Sequence, residues 1–239
     1  VSYTTWTPHA VSSEAFAWRG LAWRMVEAQH VASTMKLVDT AAEQNMLEAL
    51  LDNSKPAYPN TAAKLDYLLA TPFRYPTRKG GSRFRGANDP GVFYGAESVA
   101  TAAAELGYWR WKFLMDAPAL THIEPVAHTA FQVSLKAQTV DLRQLPFDAD
   151  ARWLHKSDYG PTQAFAQLAR SVDLGCIIYK SVRSPQPAWC IAVLKPEAFA
   201  QNKPKSETQT WWLAVAQHEV IWRRDYQSMT FNPATWERS

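Results

Sequence analysis

The chain has 239 residues, of which 47% are hydrophobic and 20% charged, with a formal net charge of +3. This suits one large or two small globular domains and an anionic ligand, and lacks the basic blocks of a dedicated nucleic-acid binder. Two cysteines make no disulfide framework, no run approaches ~20 apolar residues, and "VSYTTWTPHA" lacks a basic-then-apolar leader pattern, so a cytoplasmic protein without a membrane span is expected.

No internal repeat or low-complexity linker divides the chain, so a single domain with a helical N-terminal part is expected. Residues 21–27, "LAWRMVE", alternate as a short strand with Trp23 and Met25 on one face and Arg24 on the other. A helix follows in "DTAAEQNMLEALLDNSKP". Thr40 and Glu43 fit a capping box, and Ala42, Met46, Ala49 and Leu50 form an apolar stripe. "TAAKLDYLLATPFRYP" reads as a second short helix stopped by Pro72, and residues 76–91 as a loop around a brief extended piece. "GVFYGA" is a strand, and Ser98 caps a helix running to about Trp111. "HTAFQVSL" and "QTVDLR" are expected as neighbouring strands, and "GPTQAFAQLARSV" as a helix with Gly-Pro at its start. "CIIYKSV", "AWCIAVL", "TWWLAVAQ" and "EVIWRRD" complete a largely antiparallel set, so the class is α+β.

Chemistry concentrates in "GSRFRGANDPGVFYGAESVATAAAE", residues 81–105. Gly80, Gly81 and Gly86 would let backbone amides approach an anion, and Arg83 and Arg85 could add bidentate phosphate contacts. On an extended piece those arginines share a face, with Phe84 opposite. The same pattern also describes a solvated arginine loop. Glu105 stands on a helix of small residues, either on its solvent face or aimed into a cleft. Ser181, on one face with Tyr179 and Arg183, could bind a polar ligand or decorate a sheet edge.

The sequence lacks GxxxxGK[ST], a strand-flanked GxGxxG and GxSxG, which disfavours an ATPase, a dehydrogenase and a serine hydrolase. His122 and His128 have no partners at metal-ligand spacing, so no metal is expected, and Cys176 and Cys190 read as inert core residues. Eleven tryptophans, several beside arginines, read as buried anchors and cation–π partners rather than base-stacking platforms.

Taken together, "WRMVEAQ", "SKP", "PFRYP", "GSRFR", "GVFYGAESVATAAAE" and "LGCIIYKSVR" resemble the RES-domain family over most of the chain. The resemblance implies an ADP-ribosyltransferase-like split antiparallel sheet with helices, holding NAD as substrate in its cleft. It also implies a toxin of a toxin–antitoxin pair that cleaves NAD by phosphorolysis or hydrolysis, with inorganic phosphate as co-substrate and an antitoxin protein as partner. On this resemblance Arg24, Glu105 and Ser181 are the catalytic residues, and Arg83 and Tyr94 bind NAD; Arg85 is added to the NAD-binding set from its place beside Arg83 in the glycine-flanked stretch, not from the resemblance. Trp23 stands where many relatives have tyrosine, and the segment between Arg24 and Arg83 is longer than in short members, so residues 1–239 read as one RES-type domain with a helical insertion at about 37–72. The alternatives are an ADP-ribosyltransferase that modifies a protein and, from another class, a non-catalytic nucleic-acid-binding module.

Overall fold

The computed structural model describes residues 5–28, 38–75 and 80–237. Eight strands form one sheet: β1 (Phe16–Glu27), β2 (Phe93–Ala96), β3 (His122–Asp141), β4 (Cys176–Lys180), β5 (Trp189–Val193), β6 (Thr208–Ala216), β7 (Val220–Arg224) and β8 (Gln227–Phe231). The helices are α1 (Pro8–Ser13), α2 (Ala41–Asn53), α3 (Tyr67–Arg74), α4 (Val99–Met115), α5 (Gly160–Ser171) and α6 (Ala234–Glu237). The sheet order is β1-β2-β5-β4-β3-β6-β7-β8, and β1 also pairs with β3. Only β3 and β4 run parallel among the described pairs. The α+β class therefore holds.

β3 is the axis of the sheet. One edge carries β1 from Phe16↔Thr139 to Glu27↔His128; the other carries β6 near its start and β4 at its end. The sheet thus divides along β3 into two arms, one of which returns through β4, β5 and β2 to β1. The two strands expected in "HTAFQVSL" and "QTVDLR" are one strand of 20 residues. No turn residue interrupts them, and the unbroken pairing with β1 holds the chain extended. Pro125 is accommodated where the register shifts between Ile123 and Val126. Residues after "EVIWRRD" add β8 and α6, which the sequence reading did not anticipate.

The two faces of the sheet bury different side chains. Tyr94, Ile177 and Tyr179 face α4 and α5, joining Ala103, Ala104 and Phe165; Phe93, Cys176 and Ile178 face α3, joining Leu69, Phe73 and Phe199. This is the period-2 alternation of strands buried on both sides. α3 runs through Pro72 to Arg74 rather than stopping there. Its last turn is anchored by buried Phe73 against Phe199, and Asp66 caps its start by accepting from Leu68 N–H at 2.9 Å. Local proline preference is outweighed by that burial.

α2 forms as the capping box dictates: Glu43 N–H donates to Thr40 Oγ1 at 3.2 Å, and Thr40 N–H to Glu43 Oε2 at 3.1 Å. Its apolar stripe stays in solvent, with Met46 67% and Leu50 62% exposed. Ser98 caps α4 by accepting from Thr101 N–H, and the helix continues one turn past Trp111 to Met115. No described helix is long and apolar enough to cross a membrane.

Candidate active site

The stretch around Arg83 is not extended. Ser82 N–H donates to Arg85 O at 2.7 Å and Arg85 N–H to Ser82 O at 3.1 Å, which folds residues 82–85 into a tight turn with Arg83 and Phe84 at its tip. Gly81 makes this possible: its φ is +70°, and a Cβ there would lie 2.0 Å from Arg85 O. The turn also engages its own amides. Phe84 N–H donates to Tyr94 Oη at 3.0 Å and Gly86 N–H to Asp89 Oδ2 at 2.7 Å. The amides of Ser82, Phe84, Arg85 and Gly86 therefore do not cradle an anion, contrary to the glycine-loop expectation.

The turn sends its two arginines to different places. Arg83 is buried, donates through Nη1 to Trp153 O (3.1 Å) and His155 O (3.0 Å), and lies 4.8 Å from the centre of the Tyr159 ring. It lines the cavity that contains Glu105. Arg85 donates to Asp89 O at 3.1 Å and Tyr75 O at 2.7 Å and lines the neighbouring cavity instead. Tyr94 lies between the two: its hydroxyl pairs with Ser82 Oγ at 2.7 Å and it lines both cavities. Burial pushes its phenol pKa up, so it serves as a neutral anchor for the turn.

Arg24 occupies an opening in the sheet. β1 and β2 meet at the Trp23↔Ala96 pair and at no other described residue pair. Past it, Arg24 Nη1 donates to Tyr94 O at 2.9 Å, and its guanidinium lies 4.6 Å from the Phe93 ring centre. Its Nε is buried with no partner among the described residues, and desolvation lowers its pKa to about 10. Arg24 therefore remains a cation at neutral pH, in a site built mostly from neutral groups. Like Tyr94, it lines both cavities.

Glu105 projects from α4 into a cavity of about 530 Å³, with Ala102, Leu106 and Trp109 of the same helix face. The aimed-into-a-cleft reading is the one realised. Ser181 Oγ accepts from the amides of Arg183 (3.3 Å) and Ser184 (3.1 Å), which directs its own proton to Glu105 Oε1 at 2.6 Å. Cys190 Sγ lies 3.7 Å from the same oxygen. Burial, then the charge of Glu105, pushes the Cys190 thiol pKa well up, so it is a protonated neighbour of the carboxylate rather than a nucleophile. Trp109, 49% exposed, and Tyr159 line the cavity as an edge-on aromatic pair with ring centres 6.5 Å apart.

The structure thus joins Arg24, Arg83, Tyr94 and Glu105 around one cavity, with Ser181 bonded to Glu105 behind it and Arg85 next door. Sequence reading missed Ser82, Tyr159 and the Cys190 contact. A signal existed for Trp109, which follows Glu105 by four residues on the helix, and none for Cys190, which the Tyr179↔Cys190 pairing brings in. His128 is buried with Nδ1 on Val126 O at 2.9 Å, and His122 pairs with Glu124 at 2.8 Å. Among the described residues no group of three or more His, Cys, Asp and Glu could hold a metal ion.

Comparison with known proteins places this geometry in context. Residues 58–216 match the RES domain model. No curated protein matches the sequence. Among solved structures, the chain is similar to one in the M. tuberculosis MbcT-MbcA toxin-antitoxin complex, with 12% identity, a TM-score of 0.46, and coverage of 96% of this chain and 94% of that one.

Proposed function

The chain belongs to the RES domain family, and we propose that its Glu105 cavity cleaves the nicotinamide–ribose bond of NAD, passing the ADP-ribosyl group to inorganic phosphate or water. The observation that carries this reading is a carboxylate held by a serine proton inside a cavity that also presents Arg24 and Arg83. As the C1′–N bond breaks, its electron pair leaves with nicotinamide and positive charge develops on the ribose, as in glycoside cleavage. Glu105 stabilises that charge from a fixed position, and Ser181 keeps the carboxylate from swinging away. Arg24 and Arg83 hold the pyrophosphate. A phosphate oxygen or water then bonds to C1′; water gives up a proton in that step.

Residues 1–239 act in this reading as one RES-type unit with an insertion at about 37–72. Arg24 precedes the matched residues 58–216, yet β1 brings it to the cavity. Family membership also supports a toxin role with a cognate antitoxin protein as partner. The test is product identity after incubation with NAD, with and without phosphate. The expected products are nicotinamide with ADP-ribose 1-phosphate or ADP-ribose, and Glu105→Ala should slow release about a hundredfold or more. Equal release by both proteins, or none by either, overturns the proposal.

A further inference from the structure

A second cavity, of about 340 Å³, lies between α3 and the opening where β1 and β2 part. Arg24, Ser82 and Tyr94 line it as well as the Glu105 cavity, so the two adjoin across the sheet opening that Arg24 occupies. Each is of a size that ordinarily holds part or all of a small ligand.

The walls of the second cavity combine flat apolar surface with positive charge. Tyr67 is 54% and Tyr75 39% exposed, and Leu68 and Val26 complete an apolar side. Arg24 and Arg85 supply guanidinium groups whose hydrogen bonds go to carbonyl oxygens of Tyr94, Asp89 and Tyr75. Those bonds leave the positive charge intact. The acidic group on the wall, Glu27, is ion-paired to Arg110, while the Asp89 carboxylate, which accepts from Gly86 N–H and Gln167 Nε2, offsets part of the Arg85 charge. Aromatic faces beside guanidinium groups suit a ligand with a planar ring at one end and phosphate at the other.

We propose that this second cavity takes a purine nucleoside 5′-phosphate, and, resting on the NAD reading above, that it holds the adenylate half of NAD while the nicotinamide ribose reaches Glu105. The pyrophosphate would cross the sheet opening at Arg24. α3, part of the segment whose role the sequence left open, thereby becomes one wall of the substrate site.

The experiment measures AMP binding by calorimetry to the unsubstituted protein, to Thr71→Trp, which fills the cavity from α3, and to Tyr67→Ala, which removes an exposed ring. Thermal melting confirms that each variant is folded. The expected result is AMP binding that weakens about tenfold or more in Thr71→Trp and several-fold in Tyr67→Ala. In parallel, the ratio of kcat/KM for NAD to that for nicotinamide mononucleotide, which lacks the adenylate half, should fall about tenfold in Thr71→Trp. Glu105→Ala should depress both substrates together. AMP binding indifferent to both variants, or an unchanged substrate ratio, overturns the proposal. So does competition of AMP by inorganic phosphate with no gain in affinity of AMP over phosphate, since the cavity would then be a phosphate site alone. AMP binding lost in Thr71→Trp by a protein that releases no nicotinamide supports the cavity assignment and refutes only the NAD-cleavage reading.

Discussion

Replacing Ser181 with alanine tests the core of the site, because the serine hydroxyl has two separable jobs. It donates to Glu105 Oε1 at 2.6 Å and accepts from the amides of Arg183 and Ser184 at 3.3 and 3.1 Å. The donated bond goes to a charged group, for which the net contribution is about 1.5–3 kcal/mol. If all of it acts on the transition state, kcat falls roughly 10- to 150-fold. The Cys190 thiol already donates to the same oxygen at 3.7 Å, and an S–H is too weak a donor to replace the hydroxyl. The two amides lose longer bonds between neutral groups, each worth about 0.5–1.5 kcal/mol at most, in a turn that water reaches in part.

The two jobs separate in measurement. On the proposed reading, loss of the Glu105 contact should lower kcat for nicotinamide release with little change in KM, because the carboxylate would act on charge absent from the ground state. Loss of the amide contacts lowers Tm by a few degrees for a chain of this size. Ser181→Thr, which keeps the hydroxyl, should recover most of kcat. A kcat within twofold of the unsubstituted value in Ser181→Ala, or a defect confined to KM, refutes the role assigned to this bond.

Gly81→Ala should destabilise the protein by more than Gly80→Ala in urea unfolding: both sites have positive φ, but an added Cβ meets Arg85 O at 2.0 Å at Gly81 and nothing within 4 Å at Gly80. Equal losses would refute the close-approach argument. Arg24, its pKa lowered to about 10 by burial, is charged below that pH and loses its proton as pH rises through it. NAD affinity should therefore fall between about pH 9 and 11, and a calorimetric titration that stays flat, or a slope that persists in Arg24→Met, would count against Arg24 as the phosphate ligand. His128 has its pKa lowered, chiefly by burial, so the unfolded chain takes up a proton that the folded one refuses. Stability is then full above the unfolded value of about 6.5 and is lost as pH falls below it; His128→Phe should flatten the decline of Tm from pH 7 to 5.

What was legible in the sequence was local. The Thr40–Glu43 box, the Ser98 cap and the Pro161 helix start depend on residues within one turn, and all three form. The continuity of β3 depends on β1, more than 100 residues away, and carries no mark in "SLKAQT" itself. The direction of Glu105 was equally hidden. Ala102, Ala103 and Ala104 are consecutive and all buried, so α4 has no single apolar stripe from which to infer the face of its carboxylate. An extended backbone would put Arg83 and Arg85 on a common face, and the Gly81 turn removes that premise.

Arg24 and the parting of β1 from β2 are one feature, and each explains the other. If β1 and β2 continued their ladder beyond Trp23↔Ala96, the Tyr94 carbonyl would have no need of a side-chain donor and the space taken by the guanidinium would close. Instead the ladder stops, Arg24 supplies the missing donor with one of its five N–H groups, and the rest of the cation stays at the junction of the two cavities. Arg83 and Arg85 are tied to carbonyls of the loops they brace, which makes their removal a structural event as well as an electrostatic one. Arg24 is bound to a single carbonyl among the described residues and burial lowers its pKa to about 10, so an anion arriving between the cavities would relieve an existing penalty. On the NAD reading proposed above, that asymmetry, rather than the number of arginines nearby, is the physical reason to place the pyrophosphate at Arg24.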